Sequence, residues 1–269
     1  MHPPISRAPA TAWRHARLTH TTRALPEETA IALTYDRVSF AVMMATPQDL
    51  TDFAIGFSLT EGIITHPSDI TDLAIVEVPS GIECRMSLTP ARRDALASRR
   101  RKLAGPVGCG LCGIDSLDQA IRPPTPVTAN LTLPAAAITN AFARLSQAQA
   151  LNNQTHAVHA AAYLSGDTLL LREDIGRHNA LDKLIGAAAQ RPQLAPGAIL
   201  LTSRVSIELI QKTAAFGAPI LAAISVPTAR AVRAAAAANL TLIAISRPDG
   251  FELFTHPERI TLEPNSEAA

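Results

Sequence analysis

The chain has 269 residues, 47% of them hydrophobic, which suffices for one large domain or two modest ones around a sizeable core. Its 24 basic and 23 acidic residues leave a formal charge of +1, an argument against a general nucleic-acid binder. No run approaches the roughly 18 apolar residues of a membrane span, and the first thirty residues lack a compact apolar segment, so the expected location is the cytoplasm.

Residues 1–28 carry Pro, Thr, Arg and His without periodicity and read as a flexible N-terminal arm. From Thr29 the pattern sharpens. AIALTY and VSFAVMM on either side of Asp36-Arg37 predict a hairpin, and Thr46-Pro47-Gln48-Asp49 predicts a helix start with Pro at the first helical position. Leu50, Phe53, Ala54 and Phe57 follow at helical spacing, and Gly62 ends that helix. LAIVEV and IECRMSL around Pro79-Ser80-Gly81 predict a second hairpin, then PARRDALASRRRKL a basic helix running into VGCGLCG at 107–113. Residues 29–121 are thus expected to form an N-terminal α+β domain ending in the CxxC loop. The prolines of RPPTPVT at 122–128 can continue neither a helix nor a central strand and mark a boundary. In 129–269 a helix around 134–150 precedes the strands AVHAAAYL and TLLLR, then a helix from about Gly176, the strand AILLT, a helix through ELIQKTAA, the strand APILAAIS, an alanine-rich helix and the strand LTLIAIS. That alternation predicts a layered α/β domain with at least partly parallel strands.

Cys109 and Cys112 stand three positions apart between glycines at 108, 110 and 113, and Cys84 is the only other cysteine. Three cysteines do not make a disulfide framework, so the pair points to redox, metal or nucleophilic chemistry. On one tight turn, one thiolate can attack sulfur while the other assists or resolves. Arg99, Arg100, Arg101 and Lys102 end the preceding helix, either as a solvated helix end or folded back to favour thiolate. Half a zinc site, a thioredoxin-like dithiol and a zinc deaminase also fit a CxxC. The first needs ligands from Cys84 and eight scattered histidines. The second expects a strand before the pair, and the third an HxE motif before it, whereas His256-Pro257-Glu258 comes after.

REDIGRHNALDK at 172–183 is dense in polar residues for a segment whose later half is helical. A helix starting near Gly176 would offer free N–H groups beside Arg177 and His178, a natural anion pocket. His178 and Asp182 share a face of that helix, as do Asn179 and Lys183, in the manner of an exposed salt-bridged face. TSRVSIELIQK puts Ser203, Arg204 and Ser206 between a strand and a helix, where α/β sheets bind ligands, with Glu208, Gln211 and Lys212 following. His159, in an apolar strand, reads as a satisfied core histidine.

Together VGCGLCG, REDIGRHNALDK, TSRVSIELIQK, ATPQDLTDFAIGFSLTEGII and GFELFTHPERI resemble the formate dehydrogenase accessory sulfurtransferase family, FdhD, over about residues 30–262 and in that family's order. The resemblance implies a cytidine deaminase-like layered α/β fold without zinc, and a homodimer. It implies a sulfurtransferase that accepts sulfur as a cysteine persulfide from a cysteine desulfurase. The sulfur then passes to the molybdenum or tungsten bis-molybdopterin guanine dinucleotide cofactor before its insertion into formate dehydrogenase. By that likeness Cys109 carries the persulfide and Cys112 assists. Cofactor contacts map to Phe251, Glu252, Leu253, Phe254, Thr255 and His256, with Arg177, His178, Asn179, Ser203 and Arg204 on the guanine and diphosphate side. Where members carry Gly-Gly in a TGG(T/V)H segment, residues 155–159 read THAVH, with His156 and Ala157 at the glycine positions. A non-catalytic cofactor chaperone and a zinc-dependent deaminase-like enzyme are the alternatives.

Overall fold

Alternating apolar side chains set the first sheet. In the computed structural model, which describes residues 2–103 and 123–262, β3 (Thr29–Tyr35) turns Ile31, Leu33 and Tyr35 inward. It pairs antiparallel with β4 (Val38–Ala45) across the turn at Asp36 and Arg37, both at positive φ, which matches the right-handed strand twist. The predicted second hairpin is β5 (Ile70–Val78) with β6 (Gly81–Leu88). β3 and β6 run parallel, giving a four-stranded sheet in the order β4-β3-β6-β5. The basic helix α2 spans Pro90–Leu103.

Two expectations change. The arm contains a regular hairpin, β1 (Ile5–Arg14) with β2 (Arg17–Pro26), paired residue for residue from Ile5↔Pro26 to Arg14↔Arg17. It escapes a periodicity search because burial on one face is what writes period-two alternation into a strand, and here almost every position is exposed. Helix α1 starts at Leu50 rather than at Pro47 and runs to Thr60, with Asp49 as a left-handed N-cap. Thr46 is the cause, since its backbone and hydroxyl are held by the second domain and hold 46–49 as a turn. Gly62, at φ 67°, ends the helix as expected.

Beyond the prolines, Val127 is buried and its N–H donates to the Ala238 carbonyl, docking the connector on the second domain. Here β7 (Leu133–Pro134), α3 (Ala135–Ala148) and the single-turn α4 (Asn152–Thr155) precede β8 (His159–Ser165) and β9 (Thr168–Asp174). Next come α5 (Arg177–Ala189), β10 (Ala198–Leu201), α6 (Ile207–Phe216), β11 (Ile220–Ala223), α7 (Ala229–Ala237), β12 (Thr241–Arg247), β13 (Gly250–Thr255) and β14 (Ile260–Thr261). The sheet order is β13-β12-β11-β10-β8-β9, with β10, β11 and β12 parallel and the flanking pairs antiparallel. The architecture is mixed α/β. One face packs on α5, α6 and α7 around Leu181, Leu184, Leu209 and Ala235, the other on α3 around Ile138 and Leu145.

The two domains meet where α1 crosses α5. A Cβ on Gly56 would stand 1.7 Å from the Asp182 carbonyl oxygen, and one on Gly186 would stand 1.9 Å from that of Asp52, so both glycines are required for backbone contact. Among the described residues no helix is long and apolar enough to cross a membrane.

Candidate functional site

Parallel strands β10, β11 and β12 end at one edge of the sheet, and the chain leaves that edge through 202–206, 224–228 and 248–249. The first two loops are tied together: Val205 N–H donates to Val226 O and Thr228 N–H to Val205 O, at 3.3 and 2.9 Å. Antiparallel pairing brings the start of β8 and the end of β9 to this same edge, because Leu201 faces Ala161 and Asp174 faces His159. The N-termini of α5, α6 and α7 therefore converge on one crevice, each with the positive end of its dipole, although Thr228 Oγ1 caps α7 by accepting from Ala231 N–H.

Arg177 opens α5 at this crevice, and its Nε is buried without a hydrogen-bond partner among the described residues. His178 Nε2 lies 3.5 Å from Ser206 Oγ, and Ser206, the N-cap of α6, also hydrogen-bonds Glu208. Burial, then the charges of Arg177 and Lys212, lower the His178 pKa to about 4, with Glu208 opposing and Arg204 adding, so the ring is neutral at pH 7. His159 is lowered for the same first reason, with Arg177 second. Ser203 is buried with its hydroxyl on Arg204 O, whereas Arg204 itself is exposed. Two guanidinium groups, Arg177 and Arg204, with the helix N-termini, set against the Glu208 carboxylate, suit a phosphate or diphosphate.

The rest of REDIGRHNALDK faces inward. Lys183 Nζ and Asp174 Oδ2 are 2.6 Å apart, both side chains 0% exposed. Lys183 also donates to Thr46 O, while Asp174 accepts from the N–H groups of Thr46 and Gly176 and from Asn179 Nδ2. Asn179 donates further to Met44 O, so its amide is committed to this junction rather than to the crevice. One turn on, Lys212 Nζ sits 2.9 Å from both Asp182 oxygens and from Thr60 Oγ1. Burial works against the Lys212 charge, but Asp182 and Glu61 outweigh it and hold its pKa up. Glu173 caps α4 through the N–H groups of Leu151 and Asn152, and Arg172 pairs with Asp52. The i,i+4 spacing left a ligand site and an exposed salt-bridged face equally open; Asn179, Asp182 and Lys183 are instead buried in a sealed junction between domains.

The stretch 251–256 is not gathered at the crevice as a unit. Gly250 faces Arg247 at the crevice end and Thr255 faces Leu242 at the opposite end, so β13 runs away from it. Phe251 and Leu253 pack on the α3 side and Phe254 on the other, while Glu252 is exposed. Thr255 Oγ1 bridges Leu240 O and Leu242 N–H, and His256, at φ 49°, places Nε2 3.1 Å from Ala236 O. Cys109 and Cys112 lie outside the described residues. His156 takes the left-handed conformation, φ 54°, at the end of α4, one that histidine tolerates better than branched residues. Sequence reasoning passed over Arg247, which donates to Ile224 O at the crevice rim, and Ile245, whose φ of 53° is rare for a β-branched residue. Their position at the end of the predicted strand LTLIAIS was the available signal.

Comparison with known proteins extends the geometry. Residues 26–261 match the model of the FdhD/NarQ family. Sulfur carrier protein FdhD of Brucella abortus is 52% identical over 253 residues, covering 93% of this chain and 94% of that one. Its namesake from Agrobacterium fabrum is 49% identical over 244 residues, covering 89% and 90%. A crystal structure from Desulfotalea psychrophila, described as that of a formate dehydrogenase accessory protein, superposes with a TM-score of 0.78 at 24% identity, covering 96% of this chain and all of that one. That structure bears on the fold alone, while the family match and the curated relatives carry the assignment: this chain belongs to the FdhD/NarQ family.

Proposed function

We propose that the protein is a cytoplasmic sulfur carrier serving formate dehydrogenase. It takes sulfane sulfur from a cysteine desulfurase as a persulfide and delivers it to a guanine-dinucleotide form of the molybdenum or tungsten cofactor, bound as substrate. The observation that supports this reading is the Arg177 crevice: a buried guanidinium Nε with no partner among the described residues, at a helix N-terminus, beside Ser203, Arg204 and Ser206. A cradle of this kind fits the diphosphate of a dinucleotide, and relatives 49% and 52% identical are named sulfur carrier proteins.

The chemistry belongs to Cys109 and Cys112. The Cys109 thiolate attacks the outer sulfur of the donor persulfide; the donor's S–S bond breaks, its cysteine leaves as thiolate, and Cys109 holds the persulfide. Release as sulfide takes two electrons. Cys112 supplies them by attacking the inner sulfur and forming the Cys109–Cys112 disulfide, while an oxygen ligand of the substrate metal leaves with two protons as water. The crevice residues orient the dinucleotide, and His178, neutral at pH 7, adds no positive charge of its own.

Incubation with a cysteine desulfurase and cysteine carrying labelled sulfur, followed by peptide mass spectrometry, tests this. Label is expected on Cys109 or Cys112. Cys84 serves as the internal control, because burial pushes its thiol up to about 12 and leaves it no thiolate to react. Label absent from both loop cysteines overturns the proposal.

A further inference from the structure

Helix α2 leads into the cysteine pair, and it is anchored on successive turns. At its start Arg92 Nε donates to Asp69 Oδ2 at 3.0 Å, and Arg93 pairs with Asp36 at 3.3 Å. In its middle Leu96 is buried in the core of the N-terminal domain. Two turns beyond Arg92 and on the same face, half-buried Arg99 places Nη1 2.8 Å from the Glu61 carbonyl oxygen.

This last anchor reaches further than the others. Glu61 caps α1, so the guanidinium meets the negative end of a helix dipole and a carbonyl that the helix leaves free. Residues 60 and 61 are also where α1 touches both crevice helices. Thr60 Oγ1 donates to Asp182 Oδ1 on α5 at 2.7 Å, and Lys212 Nζ on α6 lies 3.5 Å from Glu61 Oε1. Asp182 and Lys212 each follow the first residue of their helix by five positions, a rise of about 8 Å from the crevice. Arg99 therefore ties the exit of α2 to the walls of the crevice. Cys109 comes ten positions after Arg99, and a chain of that length spans at most about 36 Å, so the point where α2 is held decides whether the crevice lies within reach.

We propose that Arg99 is a positioning residue for sulfur transfer: by fastening the exit of α2 to the Glu61 carbonyl beside α5 and α6, it brings Cys109 and Cys112 within reach of a ligand seated in the Arg177 crevice. The sequence left Arg99 between a solvated helix end and a group folded back on the thiols; its Nη1 instead binds a helix terminus at the domain junction. The inference rests on the sulfur-carrier reading, which supplies the thiols and the ligand, and adds that the two meet through α2.

The probe is GDP carrying a bromoacetyl group on its ribose, which alkylates a thiolate near the bound nucleotide with loss of bromide. Full-length protein is incubated with rising concentrations, and peptide mass spectrometry follows thioether formation at Cys109 and Cys112. The wild-type rate should saturate, and excess GDP should suppress it. Arg99→Met keeps the aliphatic stem but cannot donate; its saturated rate should fall at least about tenfold, with an unchanged half-saturating concentration and an unchanged rate toward bromoacetamide, which needs no crevice. Arg99→Lys, still able to donate to the Glu61 carbonyl, should recover part of the loss. Arg92→Ala, which loosens the other end of α2, should leave the saturated rate as it is. A merely structural Arg99 would raise the half-saturating concentration or slow both reagents alike, and that outcome overturns the proposal. So does an unchanged saturated rate in Arg99→Met, or an equal loss in Arg92→Ala. Those results leave isotope label on the loop cysteines, and the sulfur-carrier reading with it, standing. A wild-type rate that neither saturates nor yields to GDP overturns the proposal and removes the crevice from that reading as well.

Discussion

Residues 174–183 serve two regions with opposite properties. On the inner side, Asp174, Asn179, Asp182 and Lys183 are buried, and each is held by partners from the other domain or from α6. On the outer side, one residue away, Arg177 and His178 face a crevice, with a guanidinium Nε left unpaired among the described residues. Both regions are rich in charge, so charge alone does not mark a binding site. In the junction Asp174, Asn179, Asp182 and Lys183 each meet a complement within the fold, whereas in the crevice the positive groups exceed the negative ones, and that surplus is what a ligand would answer.

Lys183→Met tests the junction hardest. It keeps the length of the side chain but strands the Asp174 carboxylate with no cation, which costs about 3–5 kcal/mol in a fully buried pair. Urea unfolding followed by circular dichroism measures the loss. Lys183→Met combined with Asp174→Asn should recover part of it, because the orphaned charge goes too. A loss below about 1 kcal/mol in the single variant would mean that water reaches the pair and that the junction is not sealed.

How much of this the sequence disclosed depended on whether local chemistry or distant packing set the answer. The hairpins at Asp36-Arg37 and Pro79-Ser80-Gly81 were legible because turn residues and one-sided burial both act within a few positions. The end of α1 at Gly62 was legible for the same reason. Its start was not, because Thr46 answers to Asp174 and Lys183, more than a hundred positions away. The crevice position of Arg177, His178, Ser203 and Arg204 followed from the strand-helix order. Which polar residues of REDIGRHNALDK turn inward did not, since i,i+4 spacing defines a face but not what it meets. Glycines 56 and 186 hold the clue: backbone contact between α1 and α5 forces Asp182 and Lys183 into the interface.

A smaller effect is expected from pH, through His178. Its pKa is about 4 in the folded protein against 6.5 for the free side chain. Between those values the unfolded chain binds a proton that the native state refuses, so stability is complete above about pH 6.5 and falls as pH drops toward 4. His159 contributes with the same sign. His178→Gln should flatten the decline between pH 7 and 5 by on the order of 1 kcal/mol, allowing for partial solvent access. Urea midpoints at the two pH values check this. An unchanged slope would mean that the ring is solvated and already open to protonation, and that the crevice is wetter than its neighbours imply.

Arg204→Ala should move stability least and is the sharpest test of the contrast. The side chain is exposed, and no hydrogen bond of its guanidinium is part of the fold's described network, so the urea midpoint should shift by no more than about 0.5 kcal/mol. If the crevice is an anion site, affinity for GDP, measured by calorimetry, should nevertheless drop about tenfold, the equivalent of one charge-assisted hydrogen bond. The two readouts separate the regions because a junction residue loses both together: once the fold loosens, binding follows. Unchanged GDP affinity would show that the surplus positive charge at the strand ends is not what holds the nucleotide. A stability loss above about 1 kcal/mol would instead place Arg204 with Lys183, as part of what holds the domains together.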